Sequence, residues 1–449
     1  MIDFPRTDSH RLDDQRLATL RARFLADSRN RTVQNALARQ DVDEVAVDHE
    51  VLLSLRSEVS VHLDDWKVTN QYESGRCWLF AILNLLRADA RGRLGVKDFE
   101  FSQTHAMYWD KLERANLLLD EIVATADQPL DGRLMSHLLA GPLEDGGQWD
   151  MAVSVLLRHG AVPKQLMPET YASSHSKHMN ARLHQRLRRA ALDLREVADD
   201  PQEVSIRREQ ALSDIHTILT VHLGTPPERV DWEWRDDRGD FHRVSEQPQE
   251  FLARACWLPL EEYVCLVDDP RPEHPKGALL TVEHLGNVVG GRPVRYLNVS
   301  SARMKKLAVQ ALKRGEPVWF GCDVAQQELR AEGRWAANLL DYEDVYQVPL
   351  TLTKEERVRT GESQMTHAML LTGVDLTDDE TPLRWRVENS WGPGRGEEGF
   401  FVMADSWFDE YVFEVAVRRS DLDETERGIV DADAEVITLP AWDPMGALA

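Results

Sequence analysis

Apolar positions fall into two regimes along this chain. In the N-terminal half they recur at helical intervals: Leu17, Leu20 and Phe24 lie in a charged stretch from Leu12 to about Ala38, with Asp8-Ser9 as a capping signal, and Leu79, Ile82, Leu83 and Leu86 follow Cys77. Trp149 to His159 repeats the spacing and stops at Gly160, a residue suited to ending a helix. Positions 179, 183, 187, 191 and 194 are apolar between Arg and Asp residues, and Ile206 to Leu223 behaves alike until Gly224 and Pro226-Pro227 break it. Each of these predicts a helix. Trp232 to His242 alternates around a Gly-containing turn, as a hairpin does. Strand-like runs dominate afterwards, at 262–267, 294–299, 318–320, 367–374, 385–388 and 400–403, so an α+β fold with a β-rich C-terminal half is expected.

Composition narrows the class. At roughly 150 residues per domain, 449 residues make one large domain or two to three smaller ones. With 42% apolar residues the chain can build a sizeable core, which excludes disorder for most of it. The net charge of −24 argues against a general nucleic-acid or anionic-membrane binder. Arg182, Arg186, Arg188 and Arg189 form a local basic stripe, read as a solvated face or subunit contact. Asp3 stands where a signal peptide would be basic or apolar, so no export is expected. Trp78 to Leu86, interrupted by Asn84, is far shorter than the roughly 20 residues of a membrane span. Cys77, Cys256, Cys265 and Cys322 include no CxxC pair, which favours a reducing, cytoplasmic setting with the last three as small core residues. His175 and His178 have a metal-compatible interval but no third ligand, so no metal site is expected.

One constellation carries chemistry. Thr69 to Ala81 joins a polar loop to an apolar helix with Cys77 as its first residue, where the positive end of the helix favours a thiolate. Thr366-His367-Ala368-Met369 puts a histidine at the head of an apolar strand, able to serve as the base. Glu388-Asn389-Ser390-Trp391-Gly392 follows another strand; the Asn389 amide could orient the imidazole while Trp391 shields that bond. Gln six residues before Cys-Trp, then His, then Asn-Ser-Trp-Gly, in that order, resembles the papain-like cysteine peptidases. The resemblance implies Cys77 as nucleophile, His367 as general acid/base and Asn389 as orienter. It implies an oxyanion hole from Gln71 and the Cys77 amide. Glu144-Asp145-Gly146-Gly147-Gln148-Trp149 looks like the paired-glycine segment that lies along a substrate backbone, with Gly146 and Gly147 as binding residues.

His367 and Asn389 lie much further from Cys77 than the roughly 130 to 150 residues of secreted members, so about 150 residues are inserted. That surplus, Ser-Gly-Arg-Cys-Trp around the thiol, Met365-Thr366-His367-Ala368-Met369 around the base, and the ending Trp442 to Ala449 resemble the bleomycin hydrolase and bacterial aminopeptidase C subfamily. The implied fold is papain-like and two-lobed, with inserted helical and hook-like elements. Residues 1–170 would form an arm and the helical lobe, 171–260 inserted oligomerisation elements, and 261–449 the β-rich lobe and tail. The implied function is thiol-dependent removal of N-terminal residues from peptides, without a cofactor, in a homo-oligomer that the likeness implies is a hexamer. The alternative is hydrolysis of small amides or thiolactones. Ala449 would sit in the cleft as a selectivity element. Tyr72-Glu73 departs from the more usual Lys-Ser pair.

Overall fold

The structure, a computed structural model, describes residues 11–63, 66–432 and 435–448, and the chain divides into two compact units. The smaller unit comprises the described residues up to Ser54 with Asn338–Leu352. It is built of short helices: Asp14–Ala26, Ser28–Leu37, Val42–Ala46, His49–Ser54 and Tyr342–Tyr346. Instead of one arm helix from Leu12 to Ala38 there are two, because the Asp27 carboxylate accepts from the Arg29 amide at 2.9 Å and starts a second. Asp13 caps the first, accepting from the Arg16 amide at 2.8 Å; Asp8-Ser9 lies outside the described residues. Backbone bonds from Asp48 to Leu339 (2.9 Å) and from Asp341 to Ala46 (2.8 Å) tie the two segments together.

The larger unit carries the rest. Its main helices are α1 (Cys77–Leu94), α2 (Gln103–Ala124), α3 (Trp149–His159), α4 (Lys177–Glu196) and α5 (Pro201–Leu223). α4 buries Met179, Leu183, Leu187, Ala191 and Leu194, the stripe its spacing predicts. α5 starts earlier than its apolar pattern: the Asp200 side chain accepts from the Gln202 and Glu203 amides, and Pro201 suits the first turn. α3 stops at Gly160, where φ is +65° and a Cβ would come within 2.2 Å of the Pro248 carbonyl carbon. The hairpin Val230–Arg235 with Phe241–Glu246 pairs Trp232 with Val244.

The β-rich part is one mixed sheet. Its longer strands are β1 (Tyr263–Val267), β2 (Leu279–Val282), β3 (Tyr296–Asn298), β4 (Val318–Cys322), β5 (His367–Leu376), β6 (Pro382–Glu388), β7 (Phe400–Ala404), β8 (Val412–Arg418) and β9 (Val436–Leu439). They run in the order β9-β2-β3-β1-β8-β4-β5-β6-β7. One face packs on the helices, joining Trp78 and Trp149 to Tyr263, Trp319 and Leu370. The other is covered by helices Ser301–Lys313 and Asp405–Tyr411, with Phe320, Met369, Trp385 and Trp407 in a second core. Because α1 lies against β5, its N-terminus meets the end of the sheet where β5 begins. The α+β class expected from the sequence holds.

Candidate active site

The loop before α1 is fixed from inside. Arg76, fully buried, grips Glu169 through Nη1 (3.0 Å) and Nη2 (2.7 Å), and its Nε donates to Ser74 Oγ at 2.9 Å. Ser74 Oγ donates to the Gln71 carbonyl at 2.6 Å. The Gln71 amide is pinned at both ends: Nε2 donates to the Ser74 carbonyl and Oε1 accepts from Ser390 Oγ, each at 2.6 Å. One N–H of that amide remains available. Tyr72 sits at φ +53°, a region that disfavours side chains, and its amide donates to Asn70 Oδ1 at 2.8 Å.

The sheet register brings the remaining groups together. β5 pairs with β6 antiparallel, Leu370 opposite Glu388, so residues just before Leu370 and just after Glu388 share one end. There His367 Nε2 lies 2.9 Å from Asn389 Oδ1. That oxygen also accepts the Ser390 backbone N–H at 2.7 Å. A backbone amide can only donate, so the oxygen faces the ring and Nε2 carries the proton. Nδ1 is then the lone pair of the neutral imidazole. The Trp391 ring lies over His367 at a centroid distance of 4.9 Å and 36°. The Cys77 sulfur accepts a hydrogen bond from the backbone amide of Ala368, the residue after His367. Two segments remote in sequence, 71–77 and 367–390, are thus joined by hydrogen bonds where α1 begins.

Cys77 is 2% exposed and His367 4%. Burial pushes the thiol up to about 11, against the amides of Ala368, Trp78 and Cys77 itself, which favour the thiolate. Burial likewise pushes the imidazole down to about 4, the Asn389 bond acting the other way. Separately, each group is neutral near pH 7. A charged state forms only jointly, by moving the proton from sulfur to ring.

A model of the Peptidase C1-like family matches residues 11–446. The chain belongs to that family. Aminopeptidase C of Listeria innocua is 42% identical over 391 residues, 87% of either chain. Bleomycin hydrolase of Gallus gallus is 38% identical over 455 residues, 98% of this chain and 100% of its own. The solved structure of PepW from Lactobacillus rhamnosis superposes with a TM-score of 0.96 at 39% identity, covering 98% of this chain and 100% of that one.

Around this Peptidase C1-like centre lie groups that the sequence did not single out. Glu388, buried next to Asn389, accepts from Trp66 Nε1 (2.7 Å), Asn84 Nδ2 (2.9 Å) and Arg87 Nη2 (3.2 Å), which ties β6 to α1. Asn84 and Arg87 interrupt the apolar first half of α1, and that interruption was the available signal. The Asp145 carboxylate is buried; burial pushes its pKa up, but Lys111 at 2.7 Å, Ser176 and Asn180 outweigh that and hold it well below the usual range. A Cβ on Gly147 would lie 2.6 Å from the Trp78 ring, so the protein's own packing requires that glycine; Gly146 is the partly exposed member of the pair. Trp78 Nε1 donates to the Asp145 carbonyl at 2.7 Å.

The C-terminal segment reaches this region. Gln148 Nε2 donates to the Ala447 carbonyl at 2.5 Å, and the Tyr296 hydroxyl donates to the Met445 carbonyl at 3.3 Å. Arg271 holds Asp443 with two bonds of 2.8 Å while also gripping Asp269. Ala447 and Leu448 border a cavity of about 320 Å3 with Leu117, Leu138 and Glu144. Ala449 lies outside the described residues. His175 stacks on Tyr171 at 4.5 Å, and among the described residues no group of three His, Cys, Asp or Glu is arranged for a metal ion. In the basic stripe, Arg186 pairs with Asp214 at 2.7 Å and Arg188 donates to the Leu139 and Ala140 carbonyls. No helix among the described residues is long and apolar enough to cross a membrane.

Proposed function

We propose that this protein is a thiol-dependent aminopeptidase that removes N-terminal residues from peptides through an acyl-enzyme on Cys77. The observation that carries it is the Asn389 Oδ1 to His367 Nε2 bond, whose polarity leaves Nδ1 free to take the thiol proton beside Cys77. The thiolate attacks the first peptide carbonyl. The developing oxyanion is met by the unused Gln71 N–H and the Cys77 amide. His367 then gives its proton to the leaving amine, and water, activated by the same ring, releases the amino acid. Relatives named aminopeptidase C, aligned over most of both chains, support the peptide substrate.

The tail gives the exopeptidase character. Its hydrogen bond from Gln148 sets it beside the Gly146-Gly147 segment, where a longer substrate would run. Hydrolysis of small amides at the same centre is the second activity, favoured by the likeness to bleomycin hydrolase. We place the enzyme in the cytoplasm, as a homohexamer in keeping with the resemblance; the charge of −24 and four unpaired thiols accord with the location. The test is a panel of fluorogenic peptides with free and blocked N-termini, assayed with reductant and with an epoxide thiol trap. Cleavage of free N-termini that the trap abolishes is expected. Equal cleavage of blocked peptides, or activity that survives the trap, refutes the assignment.

A further inference from the structure

A second cavity, of about 580 Å3, borders the nucleophile's own loop. Its wall includes Tyr72 to Gly75, which ends two residues before Cys77, and the Gly75 amide donates to Asp145 Oδ2 at 3.2 Å. It therefore opens between the thiol loop and the segment leading to Gly146. The tail, fastened at Gln148, borders a different cavity, and Glu144 stands in the wall of both.

The chemistry of this cavity is one-sided. Glu73 and Glu144 are exposed to it, and neither belongs to a salt bridge among the described residues. Asp145 is already neutralised by Lys111. The opposing free charge is Lys177, also exposed, so two carboxylates stand against one ammonium. Deeper in, Asn180 and His184 lie one turn apart on α4, line the same cavity, and are each more than nine-tenths buried. Asn180 Oδ1 and His184 Nε2 have no hydrogen-bond partner, but both atoms are closed off behind the cavity wall. Burial keeps the His184 ring neutral, and its bond to the Leu143 carbonyl uses the other nitrogen as donor, which leaves Nε2 an acceptor. Two exposed carboxylates against one ammonium, in a cavity beside the nucleophile's loop, call for a positively charged group that only donates. Among side chains, only ammonium and guanidinium groups donate without accepting while carrying positive charge.

We propose that this cavity receives the side chain of the residue being removed, and that Glu73 and Glu144 give the enzyme a preference for lysine or arginine at that position. This rests on the aminopeptidase assignment. The Glu73 backbone is held at the cavity by its amide, which donates to the Ser174 carbonyl at 2.9 Å.

The test compares kcat/KM for free aminoacyl coumarylamides of lysine, arginine, glutamate and norleucine, the last matching the lysine stem without its charge. Exposed carboxylates give modest effects, so a lysine-to-norleucine ratio of roughly 3 to 10 is expected at low salt. It should shrink at about 0.5 M salt. Glu73→Gln and Glu144→Gln should each lower the ratio, and Lys177→Gln should raise it. A ratio near one that none of the three substitutions moves overturns the proposal while leaving the aminopeptidase assignment standing. Failure to cleave any free aminoacyl amide, with blocked peptides cleaved, overturns that assignment instead.

Discussion

Burial opposes charge on both Cys77 and His367, so the reactivity of the thiol depends on a proton moving between them. Alkylation of the wild-type thiol is expected to stay fast from about pH 8 to well below pH 7, and to fall as pH drops through about 4, where the ring is protonated independently of the thiol. In His367→Ala no ring accepts the proton, and because burial raises the thiol, alkylation should climb roughly tenfold per pH unit toward about 11. Iodoacetamide rates across pH read both, and a wild-type profile rising like that of His367→Ala would refute the coupling. Cys77→Ala should abolish turnover while leaving the circular dichroism spectrum unchanged. Losing the orienter in Asn389→Ala should cost on the order of 10-fold to 100-fold in kcat. Losing an oxyanion donor in Gln71→Ala should cost on the order of 100-fold to 1000-fold. Equal, total loss at both positions with folding intact would show that the roles are misassigned.

At the scale of elements, the difference between what the sequence revealed and what it concealed has a physical cause. β5, β6 and the start of α1 were legible because each carries apolar residues at its own period and ends in polar residues with distinct chemistry. α2 was not. Its 22 residues bury Gln103, His105, Asp110, Lys111, Glu113 and Arg114 alongside Met107, Leu118 and Leu119, so no polar face marks it. Three of those groups find partners far away in the chain: Asp110 with Asn287 at 2.8 Å, Lys111 with Asp145 at 2.7 Å and Glu113 with His159 at 2.8 Å. The same holds for Glu388 and Arg271, whose partners only the fold supplies. The tail shows the consequence. Deleting the residues after Gly446 should admit N-blocked peptides. Arg271→Met, which releases Asp443 without touching the thiol, should shift the ratio of free to blocked cleavage the same way by several-fold. An unchanged ratio in both would mean that the tail does not confer selectivity.

The whole molecule carries a pH-dependent weakness at the join between its helices and sheet. Glu414, on β8, is fully buried, and burial raises its pKa to about 8, with Asp150 adding to the shift and a Cys265 bond opposing it. One of its oxygens has no partner. The folded pKa exceeds the unfolded one, so the protonated side chain stabilises fully below about pH 4.5. That contribution is lost as pH rises toward 8. Glu414→Gln should therefore leave stability little changed at pH 5 and raise it by on the order of 3 kcal/mol near pH 7, read by denaturant unfolding at both. A gain independent of pH would contradict the assignment. The four thiols lead to a practical result. All are buried, and burial drives Cys256, Cys265 and Cys322 far above neutrality, while the hydrogen bond that Cys322 makes to His367 goes to its backbone carbonyl and not to its ring. A limiting dose of a fluorescent haloacetamide should then mark one sulfur per competent chain, so the dye absorbance of a desalted sample counts working enzyme molecules and converts a bulk velocity into a true turnover number.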